Sequence, residues 1–184
     1  MDRLIKYFNN NRILSFAIVF TSVFILYITL ILSRASACFT LEVGSNSLGL
    51  SFSYTKEMVQ SFFEFRNQDQ LICYGQFLKI WDSIFAIIYT LMYASWIAYF
   101  LQIKSLFLII PLLAMTCDWT ENYIELIMLE TYLRSNFISE TFVFFGSGIN
   151  SLKWILSTLT YLIIFFGIII TLKNLLKKNK KISI

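Results

Sequence analysis

The chain has 184 residues, of which 58% are hydrophobic, 18% aromatic and only 14% charged, with a net charge of +4. A water-soluble domain of this size does not need so much apolar surface, and the composition reads as that of an integral membrane protein with no nucleic-acid partner. The absence of histidine removes haem sites, most zinc and copper sites and the Ser-His-Asp form of hydrolase, so no metal or other cofactor is implied.

Long uncharged runs define the helices. Ile13 to Ser33 is the first. About 20 helical residues cross the hydrocarbon layer, so this run is long enough unaided. Its apolar stretch exceeds the roughly 7 to 15 residues at the centre of a signal peptide. Ala35-Ser36-Ala37 has the small residues of a cleavage site, and cleavage there would leave three helices.

The excursion that follows, Arg34 to Lys79, is too long for a turn. Phe39, Leu41 and Val43 alternate, as do Leu48, Leu50, Phe52 and Tyr54, on either side of Gly44-Ser45-Asn46-Ser47. Strict alternation around a Gly/Asn turn predicts a β-hairpin. Thr55 is a good N-cap with Glu57 in the first turn, and Met58, Val59, Phe62, Phe63 and Phe65 give a short helix one apolar side. Arg66 to Gln70 ends it, and from Leu71 a second helix runs into the membrane. Cys38 and Cys73 both lie in this excursion. In an oxidising compartment they could pair and staple it; otherwise both stay free.

Ser83 to Ile103 and Ser105 to Cys117 are the next uncharged runs, separated by Lys104. Apolar and aromatic residues continue past Asp118 to Leu133, which predicts one third helix carrying acids in its second half. The following loop, Arg134 to Asn150, is expected to dip into the interface through Phe142, Phe144 and Phe145. Trp154 to Leu172 is the last run. The reading is one all-α membrane domain over 1–184, a four-transmembrane-helix bundle. Its helices fall at about 13–33, 80–103, 105–133 and 151–173, and a hairpin-plus-helix cap covers 34–79.

Basic residues set the orientation, because Lys and Arg are retained on the cytoplasmic side. Arg3, Lys6, Arg12, Lys104, Lys173, Lys177, Lys178, Lys180 and Lys181 are nine of the fifteen and fall on one side. An even number of helices then places both termini in the cytoplasm, in what is expected to be a bacterial inner membrane, with the cap outside.

The strongest chemical signal is Asp118, Glu121, Asn122 and Glu125, which share one face of the third helix. An ionised carboxylate near mid-membrane costs at least about 2.5 kcal/mol on insertion scales, so this stripe should face the bundle interior, pair or be protonated. Asp82 and Tyr89, with Tyr93 and Trp96, form a matching arc on the second helix, and Lys153 is the nearest counter-ion by depth. Arg34 and Lys79 lie behind it. These residues are the candidate ligand-binding set: Asp118, Glu121, Asn122, Asp82, Tyr89 and Lys153. Glu125 and Glu130 are close enough to the outer interface to be solvated. The competing structural role is hydrogen-bond glue between helices, worth on the order of 1 kcal/mol per bond.

Tyr54-Thr55, Tyr74, Asp82 with Tyr89, Pro111 and Asp118-x-x-Glu121-Asn122 together resemble an uncharacterised family of small bacterial four-helix membrane proteins with an Asp-x-x-Glu-Asn motif in the third helix. The resemblance covers about Phe52 to Asn122 and implies the fold and the site without an activity. Ala86 and Asn67 to Gln70 depart from it, where those proteins tend to have proline and glycine. The expected function is binding of a lipid headgroup, a cation or a membrane partner, including a second copy of the chain, through the acidic cluster. The alternative is an intramembrane hydrolase with Asp82 and Asp118 as its acid and base. Lipoprotein signal peptidases share that architecture, but their Asn-x-x-Asp-Arg and Asn-x-Ala-Asp motifs are absent.

Overall fold

The computed structural model describes residues 2–41, 47–101 and 106–182, and the side chains of all of these but 2–10, 175 and 178–182. Among the described residues the chain is all-helical. Helix α1 (Asp2–Leu26) continues through a π-helical stretch, Tyr27–Leu32, into a last turn, Ser33–Ser36. A single 3-10 turn (Leu48–Leu50) and a short helix α2 (Lys56–Glu64) follow. Helix α3 (Gln68–Leu101) contains a second π-helical stretch, Phe77–Asp82. Helices α4 (Ile109–Ser135) and α5 (Glu140–Ile182) complete the bundle.

Among the described residues three spans are long and apolar enough to cross a membrane: Asn11–Ser36, Gln68–Leu101 and Glu140–Asn174. The acids of α4 keep it out of that set, although at 27 residues it has the length. Local chemistry sets the helix ends. The Thr55 side chain accepts from the Met58 backbone and starts α2, while Asn67 and Gln70 form a reciprocal capping box at the start of α3. Asn136 ends α4 at φ 53°, a left-handed position that asparagine tolerates better than most residues.

Packing is uneven around the bundle. Helix α4 lies along α5, and α1 lies along α3, but α1 and α5 scarcely touch. Tyr27 and Trp96 hold α1 to α3, donating to the Trp81 carbonyl (2.9 Å) and the Thr21 hydroxyl (2.9 Å). At one end, Phe39, Leu48, Val59, Phe62 and Phe63 pack with Tyr74, Phe77 and Met128 into a buried cluster. Arg66 is buried there, 3.6 Å from the centroid of the Phe62 ring and bonded to the Phe39 carbonyl at 2.8 Å. Burial lowers the pKa of its guanidinium.

Two expectations are corrected. No strand exists among the described residues where a hairpin is expected. Phe39 inserts edge-on between Tyr74 and Phe77 (4.9 and 5.1 Å), and Leu48 is fully buried in a 3-10 turn, so these side chains plug a helical cluster and do not line a sheet face. Glu42 to Asn46, with most of the expected hairpin turn, lie outside the described residues. The expected loop from Arg134 to Asn150 is mostly helix, because α5 begins at Glu140. Gly146 is tolerated in that helix because a Cβ there would collide with the Tyr54 hydroxyl.

Cys38 and Cys73 form a disulfide across a sequence separation of 35, tying the end of α1 to α3. Closing a loop of that size stabilises by about 3 to 4 kcal/mol in the chain-entropy account. Cys38→Ser should therefore lower the unfolding temperature in detergent. Non-reducing peptide mapping of the wild type should recover the Cys38–Cys73 pair, and alkylation of both thiols without reductant would contradict the staple.

Candidate functional site

The acidic stripe of α4 points into the bundle. Glu121 and Glu125 are fully buried, and Asp118 and Asn122 are each 4% exposed. Residues three, four and seven apart share a helix face, and in a low-dielectric surrounding that face must find donors. Lys153 on α5 donates to two of the face's carboxylates. Its ammonium lies 3.1 Å from Asp118 and in direct contact with Glu121, and it reaches the Gly49 carbonyl at 3.4 Å. Trp154 donates to the same carbonyl at 3.1 Å, so the 3-10 turn is fastened to α5 at its glycine. A Cβ on Gly49 would fall 3.0 Å from Glu121 Oε1 and 3.3 Å from Lys153 Nζ, leaving little room for any larger residue.

Helix α3 brings the other half of the site. Tyr89 donates to Asp118 Oδ2 at 3.1 Å, and Asn122 donates to Asp82 Oδ2 at 2.8 Å. All six predicted site residues therefore meet through Asp118 and Asn122. The π-helical stretch of α3 ends at Asp82, and such stretches often mark functional positions in helices. The carbonyls it leaves free are used: Tyr27 takes that of Trp81, and the Ser83 hydroxyl takes that of Leu78 at 2.9 Å.

Asp82, Tyr89, Asp118, Asn122 and Lys153 line a cavity of about 420 Å³. Phe39, Gly49 and Phe77 also line it, as do Phe24, Ile28 and Leu32 of α1 and Trp154, Ser157 and Tyr161 of α5. These are the two helices that scarcely touch, and Ile28 and Tyr161 are exposed on the bundle surface, so the cavity lies at an open seam. Its lining is polar around the acids and aromatic or aliphatic elsewhere.

Three residues of the polar network escape sequence reasoning. Glu125, expected to be solvated, is fully buried and accepts from the Tyr74 hydroxyl, whose oxygen also lies 3.4 Å from the Ser47 hydroxyl. Tyr54 is 3% exposed beside Gly146, and burial together with Glu125 and Glu121 raises its pKa far above the ordinary range. Asn150 is fully buried and donates to the Ser51 carbonyl at 2.6 Å. The periodic signal was present for Glu125, which continues the Asp118 stripe, but not for Tyr54, which reaches the site from outside the long helices. Of the residues named as distant counter-ions, Lys79 pairs at 3.7 Å with Glu130 on the exposed surface, and Arg34 is exposed.

The length and apolar composition of three helices mark the chain as a helical membrane protein. No known protein family, curated protein or solved structure matches it.

Lys153 is the cation paired with Asp118 and Glu121, and removing one partner of a buried pair costs about 3 to 5 kcal/mol. Lys153→Met should thus destabilise the protein severely in thermal unfolding. Adding Asp118→Asn and Glu121→Gln to it should restore most of the loss, because the charges left unpaired are then gone. Failure of the triple variant to recover would contradict the pairing.

Proposed function

We propose that the chain is a four-crossing plasma-membrane protein of a bacterial cell that binds an amphiphile with a basic headgroup. In this reading α4 is the fourth crossing, both termini are cytoplasmic and the segment between α1 and α3 is an extracytoplasmic cap. The ligand enters from the bilayer through the seam between α1 and α5, seats its headgroup on Asp82 and lays its apolar part against Phe24, Ile28 and Tyr161. The resemblance to small four-helix proteins with an Asp-x-x-Glu-Asn motif supports the same topology.

One observation carries the reading. Asp82 lines the cavity, accepts a hydrogen bond from Asn122 and has no cationic partner among the described residues, since Lys153 is taken by Asp118 and Glu121. A carboxylate held inside the bundle without a cation of its own is costly unless it gains a partner, and a bound ammonium would be that partner. Among the described residues no three His, Cys, Asp or Glu side chains are placed to hold one metal ion, which favours an organic cation.

The hydrolase reading draws support from Asp82 and Asp118 lining the same cavity. It is the weaker one, because Asp118 already accepts from Tyr89 and pairs with Lys153, which leaves it poorly free to move a proton.

Two experiments test these proposals. A reporter fused after Lys181 should be cytoplasmic and one inserted at Ser45 extracytoplasmic; finding both on one side would remove the four-crossing topology. Binding of a long-chain amine, followed by calorimetry in detergent-solubilised protein, should weaken about tenfold or more in Asp82→Asn, the scale of one hydrogen bond to a charged group. Equal binding of a long-chain amine and a long-chain sulfate by the wild type would contradict a basic headgroup.

A further inference from the structure

Beyond the cavity, four buried side-chain polar atoms make no hydrogen bond among the described residues: Glu121 Oε1, Glu125 Oε1, Asn150 Oδ1 and the Tyr54 hydroxyl. Buried polar groups are almost always satisfied, so each orphan needs an explanation. Glu121 and Glu125 lie one turn apart on α4, and Gly146, against the Tyr54 hydroxyl, lies one turn from Asn150 on α5. Three of the four orphans can only accept as an ionised carboxylate or an amide oxygen, and the fourth has one hydrogen to give. The site is short of hydrogens, not of acceptors.

Charge tells the same story. Asp82, Asp118, Glu121 and Glu125 surround one ammonium, that of Lys153, which contacts Asp118 and Glu121. Among the described residues Glu125 accepts one hydrogen bond, from the Tyr74 hydroxyl. Two fully buried carboxylates one turn apart cannot both stay charged at low cost when a single proton relieves both the repulsion and the missing donor.

We propose that Glu121 and Glu125 form a proton-binding site, with one proton held on Glu125 and directed at the free oxygen of Glu121. The groups facing it are Tyr54 before α2, Tyr74 and Asp82 of α3, Asp118 of α4 and Lys153 of α5. Tyr54 keeps its own hydrogen, because burial and the two glutamates disfavour its phenolate. Lys153 touches both Glu121 and the cavity-lining Asp118, so the charge on the pair is felt at the cavity wall. The inference does not depend on what occupies the cavity.

Infrared difference spectroscopy of the full chain in lipid nanodiscs near neutral pH reads the proton directly. The wild type should show the carbonyl band of a neutral carboxylic acid. Glu125→Gln should abolish it, Glu121→Gln should keep it at a shifted frequency, and Glu130→Gln on the exposed surface should leave it unchanged. Thermal unfolding confirms that each variant is folded, and the glutamine side chains supply the missing donors at nearly the same size. A wild-type spectrum with carboxylate bands alone, the result for a site filled by water, would overturn the proposal even if a variant failed to fold. A band that survives Glu125→Gln and vanishes in Asp118→Asn would overturn it as well.

Discussion

The ammonium of Lys153 is the constraint on which the interior depends. It is the cation paired with Asp118 and Glu121, and it holds the 3-10 turn through Gly49, so it joins α4, α5 and the segment before α2 at one point. Stability alone is a weak reason for such an arrangement, because a buried ion pair often contributes less than a well-packed apolar substitute. What the pair does secure is register. With Lys153 fixed opposite Asp118 and Glu121, α4 and α5 cannot slide by a turn without stranding three charges, and Trp154 and Gly49 are carried with them.

From that point the polar residues divide into two compartments. On the cavity side, Asp82, Asn122, Tyr89 and Asp118 meet a lining of aromatic and aliphatic groups at the seam between α1 and α5. On the other side, Glu121, Glu125, Tyr54 and Tyr74 are sealed beneath Phe39, Leu48 and Phe62. The division follows from packing: α1 leans on α3 and leaves α5 uncovered, while residues 39–41 and 47–64 close the far end beside the Cys38–Cys73 disulfide. Both π-helical stretches border the cavity, through Ile28 and Leu32 on α1 and through Phe77 and Asp82 on α3. A widened turn in each helix thus shapes the space the cavity occupies.

Much of this was legible in the sequence because helical periodicity is a one-dimensional property. Asp118, Glu121 and Asn122 share a face by spacing alone, and the cost of exposing that face to lipid points it inward. Lys153 followed from matching depths along helices of known rise. The non-helical segment was not legible in the same way. Alternation of Phe39 with Leu41, and of Leu48 with Leu50, is a pattern that a strand and an irregular plug of buried side chains can share. The long-range contact of Phe39 with Tyr74 decides between them. Depth along the helix alone places Glu125 near the outer interface and takes no account of the lid that buries it, and no period links Tyr54 to the acids. The π-helical stretches have no sequence signal of their own.

The central claim is that the acidic cavity is completed by a basic headgroup. Native mass spectrometry of the wild-type protein, released from mild detergent without added ligand, tests it most directly. The account predicts an adduct whose mass and fragmentation identify an amine-bearing amphiphile, lost in Asp82→Asn and retained in a variant altered outside the cavity, such as Glu130→Gln. An adduct of anionic lipid retained equally by the wild type and Asp82→Asn would contradict it.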